Sequence, residues 1–248
     1  MFLFTCAACA AELPEAVRNA TALKKVADGT PFGFDADHVQ GVAATPDFFF
    51  ATSVNKYQLK GWLFKFDRTG TKLLKKRNIA KMLYIHPSGI DFDGRVVWVA
   101  VAIYSPDSSA EVMAIDPETL KTKFKFEVAD HIGCVAADGK RVYGGNWGSE
   151  QFYTWDYRGN LIEKRDSPTG VGYQDCEYVE GFLMCVGGDY LDWIDIESWK
   201  LARRFDLEKS IAGNPLSREG VSYLDGHVFF LPDDGNDARV YEYSFSEE

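Results

Sequence analysis

Five segments of the chain can be written under one another in a single register. They are HVQGVAATPD from His38, HPSGIDFDGR from His86, HIGCVAADGK from His131, YQDCEYVEGF from Tyr173 and REGVSYLDGH from Arg218. Four carry an acidic residue and a glycine at the same offset: Asp93-Gly94, Asp138-Gly139, Glu180-Gly181 and Asp225-Gly226. Thr45-Pro46-Asp47 fills that place in the first segment. Successive starts lie 48, 45, 42 and 45 residues apart. A period near 45 residues with no helical pattern between the repeats is the length of a four-stranded propeller blade.

Within each unit the pattern reads as strands. An apolar run follows every turn, at residues 48–52, 96–102, 141–145, 182–186 and 228–231. An Asp-Gly pair between two such runs is a hairpin signal. A third strand follows, four times ending in aspartate, at Asp67, Asp116, Asp156 and Asp195. A fourth, basic and alternating strand closes the unit, as in TKLLKKRNI and LKTKFKFEV. Lys and Arg on an outer edge discourage edge-to-edge pairing, so they need no ligand to explain them. The fifth unit stops after its third strand, VYEYSF. Residues 21–28, TALKKVAD, match the missing fourth strand. The reading is therefore all-β: a single five-bladed β-propeller over residues 12–248, with the N-terminal strand added to the last blade to close the ring.

Composition fits that reading and narrows the partners. Of the 248 residues 46% are hydrophobic and 15% aromatic, enough apolar surface for a folded core and a composition suited to strands. The net charge of −10 argues against nucleic acid, whose phosphates reward a basic face. No apolar run is long enough for a transmembrane helix. Residues 1–11, MFLFTCAACAA, read as the end of a secretory signal with Ala8-Cys9-Ala10 as an A-x-A site, so the expectation is a secreted or periplasmic protein. Cys134, Cys176 and Cys185 have no zinc spacing and read as buried small side chains. Cys134 and Cys176 fall on neighbouring inner strands, where a dithiol or disulfide is the alternative.

The innermost strands of a propeller surround a central channel, so their first residues form a ring at one mouth. That ring is His38, His86, His131, Tyr173 and Arg218. Three of the four histidines occupy one register in three consecutive blades. The leading expectation is a metal site of His38, His86 and His131 holding Zn, Fe, Mn or Ca and acidifying a bound water for hydrolysis. Glu219 and Asp175 are the candidate catalytic carboxylates. Gln40, Tyr173, Gln174, Arg218 and Trp147 are candidates to bind a small molecule in the channel, Trp147 from the Gly-flanked segment NWGSEQ. The alternatives are a metal-free site for a polar small molecule, with a His or Glu219 as general acid or base, and a protein-interaction scaffold using the excursion at residues 104–109. Hydrogen-bonded packing around a wet channel explains the same histidines without function. No HExxH, EF-hand loop, Walker A or nucleophile elbow occurs.

Several pieces resemble a propeller family of unknown function, DUF6454: HPSGIDFDGRVVWVAVAIYSP, IDPETLK, DHIGCVAAD, NWGSEQFYTWD and YQDCEYVEG, over the middle three blades. The resemblance implies the fold and no reaction. Val39-Gln40-Gly41-Val42 and residues 177–181 are similar to inner-strand pieces of plant-type glutaminyl cyclases, and residues 218–221 to the Glu-Gly start of calcium-dependent lactonase propellers. Fold likeness does not transfer function.

Overall fold

The computed structural model describes residues 11–247. Nearly all of the candidate leader, with Cys6 and Cys9, lies outside those residues. A short helix α1 (Glu15–Arg18) precedes β1 (Ala22–Ala27). Blade 1 is β2 (His38–Ala44), β3 (Phe48–Asn55), β4 (Lys60–Asp67) and β5 (Leu73–Asn78). Blade 2 is β6 (Tyr84–Phe92), β7 (Val97–Ile103), β8 (Ala110–Ile115) and β9 (Thr122–Val128). Blade 3 is β10 (Ile132–Ala137), β11 (Arg141–Asn146), β12 (Gln151–Asp156) and β13 (Leu161–Asp166). Blade 4 is β14 (Asp175–Val179), β15 (Phe182–Gly187), β16 (Tyr190–Asp195) and β17 (Lys200–Asp206). Blade 5 is β18 (Glu219–Leu224), β19 (His227–Pro232) and β20 (Tyr241–Ser246), completed by β1. Ala22 pairs with Ser246 and Leu23 with Phe245, antiparallel, so the N-terminal strand closes the ring.

The turns explain the repeat. Asp93 accepts hydrogen bonds from the amides of Arg95 and Val96, and Asp138 from those of Lys140 and Arg141. Glu180-Gly181 and Asp225-Gly226 are two-residue hairpins with positive φ at both positions, which glycine tolerates best. Between blades the sheets bury both faces. Phe50 and Leu63 of blade 1 pack with Ile90, Val97 and Val99 of blade 2. Met184 and Trp193 of blade 4 pack with Val221, Phe230 and Tyr243 of blade 5. The basic outer strands also stitch blades together: Arg77 donates to the Leu120 carbonyl, Arg165 to that of Ile196 and Arg203 to that of Ala20.

Below the mouth the channel is occluded, because the inner strands nearly touch. A Cβ on Gly41 would lie 2.7 Å from the Gly89 Cα, and one on Gly89 would lie 2.0 Å from Asp175 Oδ1. Asp175 crosses the axis from blade 4. Its Oδ2 accepts the amides of Val42 in blade 1 (3.4 Å) and Val221 in blade 5 (3.1 Å), and its Oδ1 that of Cys176 (2.9 Å). Asp91 accepts the amides of Ala137 and Tyr178, and Glu177 that of Tyr223. Burial raises Asp175 well above the ordinary carboxyl range and Asp91 to about 7; burial, then Asp91, raises Glu177. Cys176 and Cys185 face each other across β14 and β15 as a disulfide, and Cys134 is a free buried thiol 3.5 Å from the Cys176 sulfur. The Cys134–Cys176 disulfide considered from the sequence gives way to this pair, because cross-strand neighbours within one blade lie closer than residues of adjacent blades.

Asp175→Ala orphans three buried amides at about 1–3 kcal/mol each. The expected loss is at least about 3 kcal/mol, or on the order of 10 °C in melting temperature for a chain of this size. Asp175→Asn keeps a carbonyl acceptor on the axis and should lose distinctly less. Thermal denaturation followed by circular dichroism checks both.

Candidate functional site

Each inner strand runs away from the mouth, its neighbour returns, and the connection to the third strand lies at the mouth again. The site is therefore built in two tiers. The starts of β2, β6, β10, β14 and β18 supply the first, and the second-to-third connections of the blades supply the second. A cavity of about 220 Å³ occupies this mouth. From the first tier it is lined by His38, Gln40, His86, His131, Tyr173, Gln174 and Glu219. The second tier adds Tyr104, Asn146 and Trp147.

The sequence-derived residues divide into two groups. On one side His38 Nδ1 lies 3.0 Å from Asp233 Oδ2, and its Nε2 lies 3.8 Å from Glu219 Oε1. Gln40 Nε2 donates to Glu219 Oε2 at 3.1 Å. One imidazole thus stands between two carboxyl groups. The hydrogen bond to Asp233 raises His38 above its ordinary value, against the cost of burial. The same bond holds Asp233 below the usual carboxylate range. Burial pushes Glu219 up to about 7, partly opposed by His38. Glu219 also has a φ of +97°, a backbone state that side chains other than hydrogen avoid.

On the other side His86 Nδ1 and His131 Nε2 lie 3.2 Å apart. His131 Nδ1 lies 2.9 Å from the Ser105 carbonyl oxygen and 3.1 Å from Ser108 Oγ. Trp147, 39% exposed, sets its ring edge-on to His131 at 4.5 Å between centroids. Tyr104 packs edge-on to His86 at 4.2 Å, with Lys56 over its ring. Burial foremost lowers both His86, to about 3, and His131.

The three histidines share the cavity but do not gather around one point. Both nitrogens of His131 are engaged by its neighbours, whereas His38 faces carboxylates. Among the described residues the group that brings three ligand atoms within 4.8 Å of one another is His38, Glu219 and Asp233. Asp175 lies beneath the cavity with its oxygens committed to backbone amides. Tyr173 lines the wall, but its hydroxyl donates to Asp192 at 2.5 Å, away from the mouth. Gln174 is exposed on the cavity wall. Arg218 stands exposed at the rim, 3.9 Å from Asp233. Asp233 and Tyr104 were not singled out by the repeat. They sit in connections of unequal length, where no shared register marks them.

These features define a five-bladed propeller with a polar, aromatic-walled cup over an occluded channel. The chain belongs to the family of unknown function DUF6454, whose family model matches residues 4–193. The fold is also that of the glutaminyl cyclase of Myxococcus xanthus, whose crystal structure superposes with a TM-score of 0.71 and 12% identity, over 91% of this chain and 97% of that one. At that identity the likeness is one of fold. The computationally designed Ika4 protein aligns at a TM-score of 0.47 and 12% identity, over 67% of this chain and 96% of its own. No curated protein matches the sequence. Among the described residues no helix is long and apolar enough to cross a membrane.

Glu219→Gly relieves a backbone strain of roughly 1–3 kcal/mol and removes a buried acid. Glycine's freedom in the unfolded chain offsets about 0.4–1 kcal/mol of this. The expected melting temperature lies above that of the parent by a few degrees, measured by differential scanning calorimetry. A lower value would mean that Glu219 is held for stability.

Proposed function

We propose that this protein acts on a small polar molecule held in the cup at the channel mouth, with Glu219 as the group that gives and takes a proton. The observation that carries this reading is the placement of the Glu219 carboxyl group. It is buried in the cavity wall, oriented by Gln40, and faced by an imidazole whose far nitrogen is held by Asp233. A buried acid poised near neutrality serves either direction of proton transfer. Gln40 fixes which Glu219 oxygen faces His38, and His38 supplies compensating charge when Glu219 is ionised. Trp147 and Tyr104 offer aromatic surface to the body of the molecule, and Gln174 and Arg218 reach its polar groups at the rim. A residue retained in a strained backbone state supports a functional role. Export belongs to the same proposal, supported by the Cys176–Cys185 disulfide, a bond that cytosolic thiol pools keep reduced.

A second reading rests on the closeness of His38, Glu219 and Asp233. These three would hold a divalent cation through one nitrogen and two carboxylates, and a cation there would acidify a bound water for attack on an ester or lactone.

Metal analysis of the untagged protein, with a thermal-shift screen of small polar molecules against the parent and Trp147→Ala, separates the two. The first reading expects no stoichiometric metal, even after incubation with each ion, and molecules that raise the parent's melting temperature without raising the variant's. About one equivalent of metal in the parent, absent from Glu219→Gln and His38→Ala, would establish the second. Molecules that stabilise parent and variant equally, with no metal in either, would contradict both.

A further inference from the structure

We propose that His86 presents an unprotonated Nε2 to the cup, fixed in that form by His131, and that this nitrogen receives a hydrogen-bond donor of the bound molecule, above all an ammonium group. The ligand class rests on the reading of the mouth as a small-molecule site; the protonation pattern does not.

A count of protons along the contacts gives the pattern. The Ser108 hydroxyl donates to the Ile103 carbonyl at 2.9 Å, so its hydrogen is not available to His131. The Ser105 carbonyl oxygen, 2.9 Å from His131 Nδ1, can only accept. His131 Nδ1 therefore carries a hydrogen, directed at Ser105 and shared with Ser108 Oγ. His131 is 1% exposed and its ring nitrogens meet a carbonyl, a hydroxyl and another imidazole but no carboxylate, so the ring is neutral; a neutral imidazole has one N–H, so its Nε2 is bare. The atom 3.2 Å from that lone pair is His86 Nδ1, which must be the donor. His86 is also kept neutral by burial and by His131, so its own hydrogen is spent on His131 and its Nε2 is an acceptor.

Among the described residues nothing is hydrogen-bonded to that nitrogen, although His86 lines the cavity. An imidazole lone pair beside the Tyr104 and Trp147 rings, in a cup that also holds the Glu219 carboxyl group, suits a donor-bearing head group such as an amine. It disfavours a carboxylate, which would bring lone pair against lone pair. His131 is then a positioning residue. The loop at residues 104–109, which the sequence suggests for partner binding, sets the tautomer through the Ser105 carbonyl.

The test is long-range proton–nitrogen correlation NMR on the full chain labelled with ¹⁵N-histidine at pH 7. In the parent, His86 and His131 should each show a protonated Nδ1 and a bare Nε2. In His131→Ala the His86 proton should shift toward Nε2, the preferred form of a free imidazole. His131→Gln, whose carboxamide oxygen can accept from His86 Nδ1, should restore the parental pattern and remains informative if the alanine variant does not fold. A protonated His86 Nε2 in the parent, or His86 unchanged in His131→Ala, would overturn the protonation pattern whatever becomes of Glu219. Methylammonium should then move the His86 Nε2 resonance saturably, and acetate at equal concentration should leave it in place. No response to methylammonium, or an equal response to acetate, would overturn the ligand class.

Discussion

The Asp175 carboxyl group lies where four of the five blades come within reach of one side chain. It belongs to blade 4, accepts amides from blades 1 and 5, and occupies the space that the absent side chain of Gly89 leaves in blade 2. Strands that converge on an axis must present some of their amides to its centre, where no neighbouring strand can pair with them. Buried amides without acceptors are costly. Asp175, Asp91 and Glu177 meet that need from within the channel, and Gly41 and Gly89 make room for them. Closure of the outer ring by β1 and β20 and closure of the inner ring by buried carboxyl groups are two parts of one solution.

That occlusion shapes the mouth. A propeller with an open bore offers a tube. Here the bore ends at Asp175 and the space above it is a cup with a floor. First-tier residues stand on rigid strand starts, and second-tier residues lean in from the connections. The division of labour follows from charge. His38 stands among carboxylates and is drawn toward the charged form, whereas His86 and His131 stand among carbonyls, a hydroxyl and aromatic rings and stay neutral. Three histidines in one register have different chemistry because their second-tier neighbours differ.

The repeat made the architecture legible. The acidic-Gly turns and the 45-residue spacing placed the five inner strands, and the missing fourth strand of the last unit pointed to residues 21–28. The first-residue ring was legible for the same reason, since equivalent positions on inner strands reach the same mouth. His38, Gln40, His86, His131, Tyr173, Gln174 and Glu219 all border the cavity. What a register cannot convey is the side on which a residue spends its polar atoms. The Tyr173 hydroxyl turns to Asp192, and Asp175 is consumed by backbone amides. Asp233 and Tyr104 come from connections with no common length. The pairing of His86 with His131, rather than a meeting of all three imidazoles, depends on distances between blades that spacing along the chain does not encode.

Native-state hydrogen exchange resolved to single amides tests most directly whether buried carboxyl groups hold the ring. The amides of Val42, Ala137, Tyr178, Val221 and Tyr223 should be among the slowest in the protein and exchange only when the whole ring unfolds. If they exchange as fast as the amides of the outer strands β5 and β13 while the protein stays folded, the axial carboxyl groups are not what holds the inner strands together.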